Sequence, residues 1–125
     1  MKKVILMSLY IMAIFYIFGG INHFRNPDTY TKLIPPYLPA PVTLNFLAGV
    51  AEVILGIGLL FKVTRRWSAL GVILMLIAFI PVHVYFIQVN SCIDSSICIP
   101  QWLGWVRLIV IHPLLLGWAY LFYRK

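Results

Sequence analysis

Four long apolar runs, separated by short breaks rich in proline or charge, dominate the chain. They cover Val4–Phe24, Val42–Phe61, Trp67–Ile87 and Trp102–Tyr123. Each holds about 20 residues, which at about 1.5 Å rise per residue crosses a hydrocarbon core of about 30 Å. No run alternates polar and apolar positions with period two, and a backbone in lipid must satisfy its own hydrogen bonds, so the runs are read as helices. The pattern predicts an all-α fold: a four-transmembrane-helix bundle forming a single integral membrane domain over residues 1–125. The first run also has a competing reading as a cleaved signal peptide, because Lys2 and Lys3 precede it. No small-x-small cleavage site follows, and bulky Tyr16, Phe18 and Phe24 continue the run, so a retained helix is expected.

Composition removes the soluble alternatives. Apolar residues make up 62% of the chain, charged residues 10%, and the mean hydropathy is +0.96. A soluble domain carries about 45–50% apolar and about 25% charged residues. Asp28, Glu52 and Asp94 are the only acids, and the high hydrophobicity excludes disorder.

The net charge of +7 carries topology rather than partner information. Lys2, Lys3, Lys62, Arg65, Arg66, Arg124 and Lys125 sit at the ends of apolar runs, which is not a phosphate-binding stripe, so nucleic acid is not an expected partner. The first and third loops hold Arg25 and Lys32 with Asp28 and Asp94. The positive-inside rule therefore places both termini in the cytoplasm, with a bacterial cytoplasmic (inner) membrane as the expected location. Trp67 falls near the inner interface, and Trp102 and Trp105 near the outer one. The first loop, Arg25–Pro41, contains Pro27, Pro35, Pro36, Pro39 and Pro41 and is expected to be stiff. Its Tyr30 and Tyr37 either lie at the headgroup level or lid the bundle. The second, Lys62–Arg66, reads as a short turn between antiparallel neighbours.

Candidate chemistry lies in polar residues within the spans. Glu52 is ten residues into the second run, and a carboxylate at that depth must be protonated, paired or turned to a wet interior. At 100° per residue, Asn45, Ala48, Gly49 and Gly56 fall within about 60° of it, a stripe expected to face the bundle interior. By depth, Glu52, His83, Arg107 and His23 line the outer half of one cavity, with Asn45 as a further ligand-binding candidate. A purely structural reading makes Glu52 and Arg107 an interhelical ion pair, His112 a satisfied core histidine and His23 an interfacial residue. Ideal helical spacing sets His112 about 140° from Arg107, so the two are expected to point apart. No metal site is expected, because the histidine spacings contain no close ligand pair. No glycine-rich nucleotide loop, nucleophile elbow, haem attachment sequence or zinc-protease helix occurs.

Cys92 and Cys98 share the third loop, on the outer side by charge counting. The expectation is a disulfide closing a small loop, with Asp94, Ser95 and Ser96 allowing the turn; free thiols and an active dithiol are the alternatives. The spacing is wider than that of a thioredoxin-type motif.

Three stretches resemble the DoxX-like family of small membrane proteins. The first is Gly20-Ile21-Asn22-His23-Phe24 with Pro27, Tyr30, Ile34-Pro35-Pro36, Leu38-Pro39 and Pro41. The others are Gly49-Val50-Ala51-Glu52-Val53-Ile54-Leu55-Gly56 and Ala78-Phe79-Ile80-Pro81-Val82-His83, where many members carry asparagine at the histidine position. The resemblance implies a four-helix membrane bundle, in a family whose name derives from a subunit associated with thiosulfate:quinone oxidoreduction and whose other members serve redox-linked or assembly roles. Lacking a sulfur-handling motif, the chain is not expected to oxidise thiosulfate. Two functional expectations follow: a redox-associated subunit or quinone- or lipid-binding membrane protein, or a non-catalytic accessory and assembly partner of another membrane or redox protein. Quinone is the one cofactor class suggested. The sequence leaves enzymatic activity and oligomeric state open.

Overall fold

The computed structural model describes residues 2–94 and 97–125 of the chain. Its helices long and apolar enough to cross a membrane are Lys3–Arg25, Pro41–Leu59, Lys62–Gln88 and Gln101–Arg124, and the fold is an all-α membrane bundle. Helix α1 (Lys3–Arg25) packs along α3 (Pro41–Leu59), α3 along α4 (Lys62–Ala78), and α4 along α7 (His112–Arg124). Large apolar side chains such as Val4, Phe18, Ile54, Leu74 and Leu114 lie on the outside, as a lipid-facing surface requires.

The first loop is not wholly irregular. Pro27–Leu33 forms a short helix, α2, with Pro27 at its first position and Asp28 in its first turn. Proline there gives up a donor that has no helical partner anyway, and the acid complements the helix dipole. Helix α2 lies against α3 and against α5 (Ile80–Gln88).

Lys62–Arg66, expected as a turn, is the first part of α4 instead. The reversal is confined to Leu60 and Phe61 because side chains cap it: Arg65 Nε donates to the Leu59 carbonyl at 2.9 Å, and Thr64 Oγ1 to that of Gly58 at 2.6 Å. The last carbonyls of α3 thus gain the partners a helix end lacks.

Two prolines interrupt the other spans. Pro81 offers no N–H to the carbonyl four residues earlier, and the helix breaks at Phe79, between α4 and α5. Pro113 follows a π-helical turn, Arg107–Ile111, which links α6 (Gln101–Val106) to α7 and in which the His112 N–H bonds to the Arg107 carbonyl.

Between α5 and α6 a two-stranded antiparallel ribbon pairs β1 (Cys92–Asp94) with β2 (Ile97–Cys98). Cys92 and Cys98 stand opposite each other at disulfide distance, and no free cysteine remains among the described residues. The turn expected at Ser95 and Ser96 lies outside those residues. The ribbon is anchored at its base, where Ser91 Oγ donates to Gln101 Oε1 at 2.6 Å and Gln101 Nε2 to the Ile87 carbonyl at 3.0 Å.

The apolar core occupies the end of the bundle that holds both termini. Leu9, Met12, Ala13 and Tyr16 of α1 meet Leu59 of α3, Ala69, Val72, Met75 and Leu76 of α4, and Ala119 and Phe122 of α7. Arg66 stacks over Tyr123 at 5.2 Å at this end, and Trp118 Nε1 donates to Ser8 Oγ at 2.6 Å, tying α7 to α1.

Candidate functional site

The opposite half of the bundle encloses a cavity of about 690 Å³. Its walls are largely apolar, from Phe15, Leu44, Leu47, Ala48, Ala51, Met75, Ala78, Phe79 and Val82. Tyr30, Leu33, Ile34 and Leu38 bring the first loop to it. All five ligand-binding candidates line it: His23, Asn45, Glu52, His83 and Arg107. They divide into two groups with different hydrogen bonding.

The first group sits on the α1–α3 seam, and glycines put it there. A Cβ on Gly20 would stand 2.6 Å from the Gly49 carbonyl oxygen, and one on Gly56 would stand 2.9 Å from that of Ala13. Only hydrogen side chains allow this backbone approach, as small-residue seams do in membranes. Asn45, Gly49, Glu52 and Gly56 are the buried stripe of α3, together with Leu59. Gly19 faces the Glu52 carboxylate, and a Cβ there would make ordinary contact with Oε1 at 3.5 Å.

Across this seam His23 Nε2 approaches Glu52 Oε2 at 2.7 Å, and His23 Nδ1 approaches Asn45 Oδ1 at 2.7 Å. Asn45 Nδ2 donates to the His23 carbonyl at 3.0 Å. That carbonyl lies in the last turn of α1, where intrahelical donors run out. This bond fixes the amide orientation: Oδ1 faces the ring, so Nδ1 must carry a proton. A 2.7 Å contact between Nε2 and a carboxyl oxygen then requires one further proton between them, on either atom. Both assignments leave the pair neutral overall. His23, Asn45 and Glu52 are 8%, 5% and 8% exposed, so the pair is shielded from solvent.

Tyr30 completes this group. Its ring stacks on His23 with centroids 4.0 Å apart, and Asn22 Nδ2 donates to its hydroxyl at 2.6 Å. Of the two placements open to Tyr30, the structure has it covering the cavity, whereas Tyr37 is exposed.

The second group belongs to the broken helices. His83 lies on α5 and Arg107 opens the π turn. His112 packs its ring edge-on to His83, centroids 4.8 Å apart, and donates from Nε2 to the Leu76 carbonyl at 2.6 Å, beside the break at Phe79. This is the satisfied core histidine of the structural reading. Of Arg107 and His112, Arg107 lines the cavity and His112 is not part of its wall. Arg107 lines the cavity beside His83 while His112 contacts the same imidazole.

The expected Glu52–Arg107 ion pair is not formed. Glu52 pairs with His23 because the glycine seam brings α1 closer to α3 than α6 comes. Arg107 instead lays its guanidinium over the Phe86 ring at 5.0 Å. Among the described residues, neither Arg107 nor His83 has a side-chain hydrogen-bond partner, and Arg107 has no ion pair.

Two neighbours of Glu52 escaped the sequence reading. Tyr16 is buried with its hydroxyl unpartnered among the described residues. Gly19 lies against the Glu52 carboxylate. The signal for Gly19 was present, since adjacent Gly19 and Gly20 precede His23 by one helical turn. Tyr16 is indistinguishable from the aromatics around it.

Residues 12–123 match the family described as "Domain of unknown function (DUF8561)", and the chain belongs to that family. No curated protein and no solved structure matches it.

Proposed function

We propose that this membrane protein holds an amphiphilic small molecule of the quinone or lipid class within its bundle, as a redox-associated subunit. The carrying observation is the cavity: about 690 Å³ of mostly apolar wall with His23, Asn45, Glu52, His83 and Arg107 as its polar features. Ligand sites typically have such volumes, of about 300–1,000 Å³, with apolar linings and a few polar groups that orient the occupant. The resemblance to DoxX-like proteins supports the redox association. The charge pattern supports cytoplasmic termini in a bacterial inner membrane, with the cavity in the outer half.

Binding of a short-chain quinone and of single-chain lipids to the purified protein tests this reading, with Glu52→Gln beside the native chain. The expected result is saturable binding that weakens in the variant. Unchanged binding would remove Glu52 from the site, and no binding of any of these probes would favour the assembly-partner role. A cysteine introduced beside Lys125 should label from the cytoplasmic side only; labelling from outside alone would overturn the orientation.

A further inference from the structure

Within the cavity, one polar group is paired internally and the other is not. On the α1–α3 seam His23 is engaged through both ring nitrogens, by Glu52 and Asn45, and the shared proton makes that cluster neutral. On the other side stands the guanidinium of Arg107, always protonated in proteins. The stacking on Phe86 engages its face and leaves the in-plane N–H fork unused. His83 beside it touches His112 ring to ring and also has no hydrogen-bond partner among the described residues. Among the described residues Glu52 is the only acid lining the cavity, and it is paired with His23.

The cavity therefore carries one uncompensated positive charge in an apolar, membrane-embedded setting, where an unpaired ion is expensive. A neutral occupant would leave that cost in place. From this geometry we infer that the occupant is an acidic amphiphile: a single negatively charged head, carboxylate or phosphate, against Arg107 and His83, with its apolar chain along the cavity wall. Arginine suits this head, since its planar fork matches the paired oxygens of either anion. The inference rests on the ligand-binding reading above and narrows it from quinone or lipid to an anionic lipid-like molecule.

The protein in nanodiscs of zwitterionic phosphatidylcholine is titrated with palmitate, with hexadecanol as the uncharged probe of equal chain length, and with a short-chain quinone. Palmitate should bind at least about tenfold more tightly than hexadecanol, the scale of one charge-assisted hydrogen bond. Arg107→Gln should bring palmitate down to the level of hexadecanol, and thermal unfolding of the variant reports that it is folded. Arg107→Lys should retain part of the preference. Adding phosphatidylglycerol to the nanodiscs distinguishes the source: displacement of palmitate assigns the site to a bilayer phosphate head, and persistence assigns it to a free carboxylate. Both outcomes keep the anionic head. Equal affinity for palmitate and hexadecanol, or a preference that survives Arg107→Gln, overturns the inference while leaving a ligand-binding cavity standing. Failure of palmitate, hexadecanol and quinone alike overturns the ligand-binding reading itself.

Discussion

At the end of the bundle that holds the termini, Leu9, Met12, Ala13, Leu59, Ala69, Val72 and Ala119 are wholly buried. At the other end the same spans enclose a cavity of about 690 Å³. The difference follows from where the chain can keep regular helices in register. Near the termini, α4 and α7 run unbroken and their side chains interlock around the core. Beyond Leu76 and before His112, prolines interrupt both elements, and the walls are finished by α2, α5 and the π turn. The α1–α3 seam is the exception that runs through both halves, since Gly56 serves the packed end and Gly20 and Gly49 the open one. One half is therefore specified by apolar volume, and the other by polar pairing across a glycine contact.

If that contrast is right, the largest stability effect at the cavity end should come from a polar residue. His23→Leu leaves the buried Glu52 without its partner, which typically costs about 3–5 kcal/mol. Pairing it with Glu52→Leu removes the orphaned acid and should recover most of the loss. Thermal unfolding in mild detergent measures both. A single variant as stable as the native chain would mean that the pair contributes nothing.

Gly20→Val should follow closely. Its Cβ would meet the Gly49 carbonyl oxygen at 2.6 Å and the Val53 nitrogen at 2.8 Å, and neither backbone atom can move aside as a side chain could. A loss of about 3 kcal/mol is expected, at the upper end for overpacking. Gly117→Ala is the contrasting case, because nothing lies within 4 Å of a Cβ there, and it should be neutral. Equal effects of the two would argue against a close seam.

These two sites also show what could be read from the chain alone. The apolar lengths carried the spans, and the helical wheel carried the stripe of Asn45, Gly49, Glu52 and Gly56, because both depend on regular geometry. His23, Asn45, Glu52, His83 and Arg107 could be gathered by depth, and all line the cavity. Depth does not assign partners, however. Choosing His23 over Arg107 for Glu52 required the interhelical distance set by glycines on two different segments. The helix α2 was not expected in the first loop, where the density of prolines reads as stiffness alone.

A smaller effect is expected in the ribbon. The Cys92–Cys98 bond closes a short loop, so Cys92→Ser should cost about 2 kcal/mol, less than a bridge across a long loop. Alkylation and mass spectrometry of non-reduced protein from an oxidising compartment should find no free thiol. Two alkylated cysteines there would overturn both the bridge and the outer placement of the loop.

The smallest effect separates the two halves most directly. Trp118 Nε1 donates to Ser8 Oγ at 2.6 Å, joining α7 to α1 at the packed end. Hydrogen bonds between membrane helices average about 0.6 kcal/mol in double-mutant cycles, because the separated helices find other partners. A cycle of Trp118→Phe and Ser8→Ala should give a coupling near that value, measured by thermal unfolding. Neither residue lines the cavity, and the buried core lies at the end they occupy. Affinity of the cavity for its ligand should therefore be unchanged in both variants. A severalfold change in affinity would mean that the packed end sets the shape of the cavity, and that the polar pairing at the α1–α3 seam does not hold it open alone.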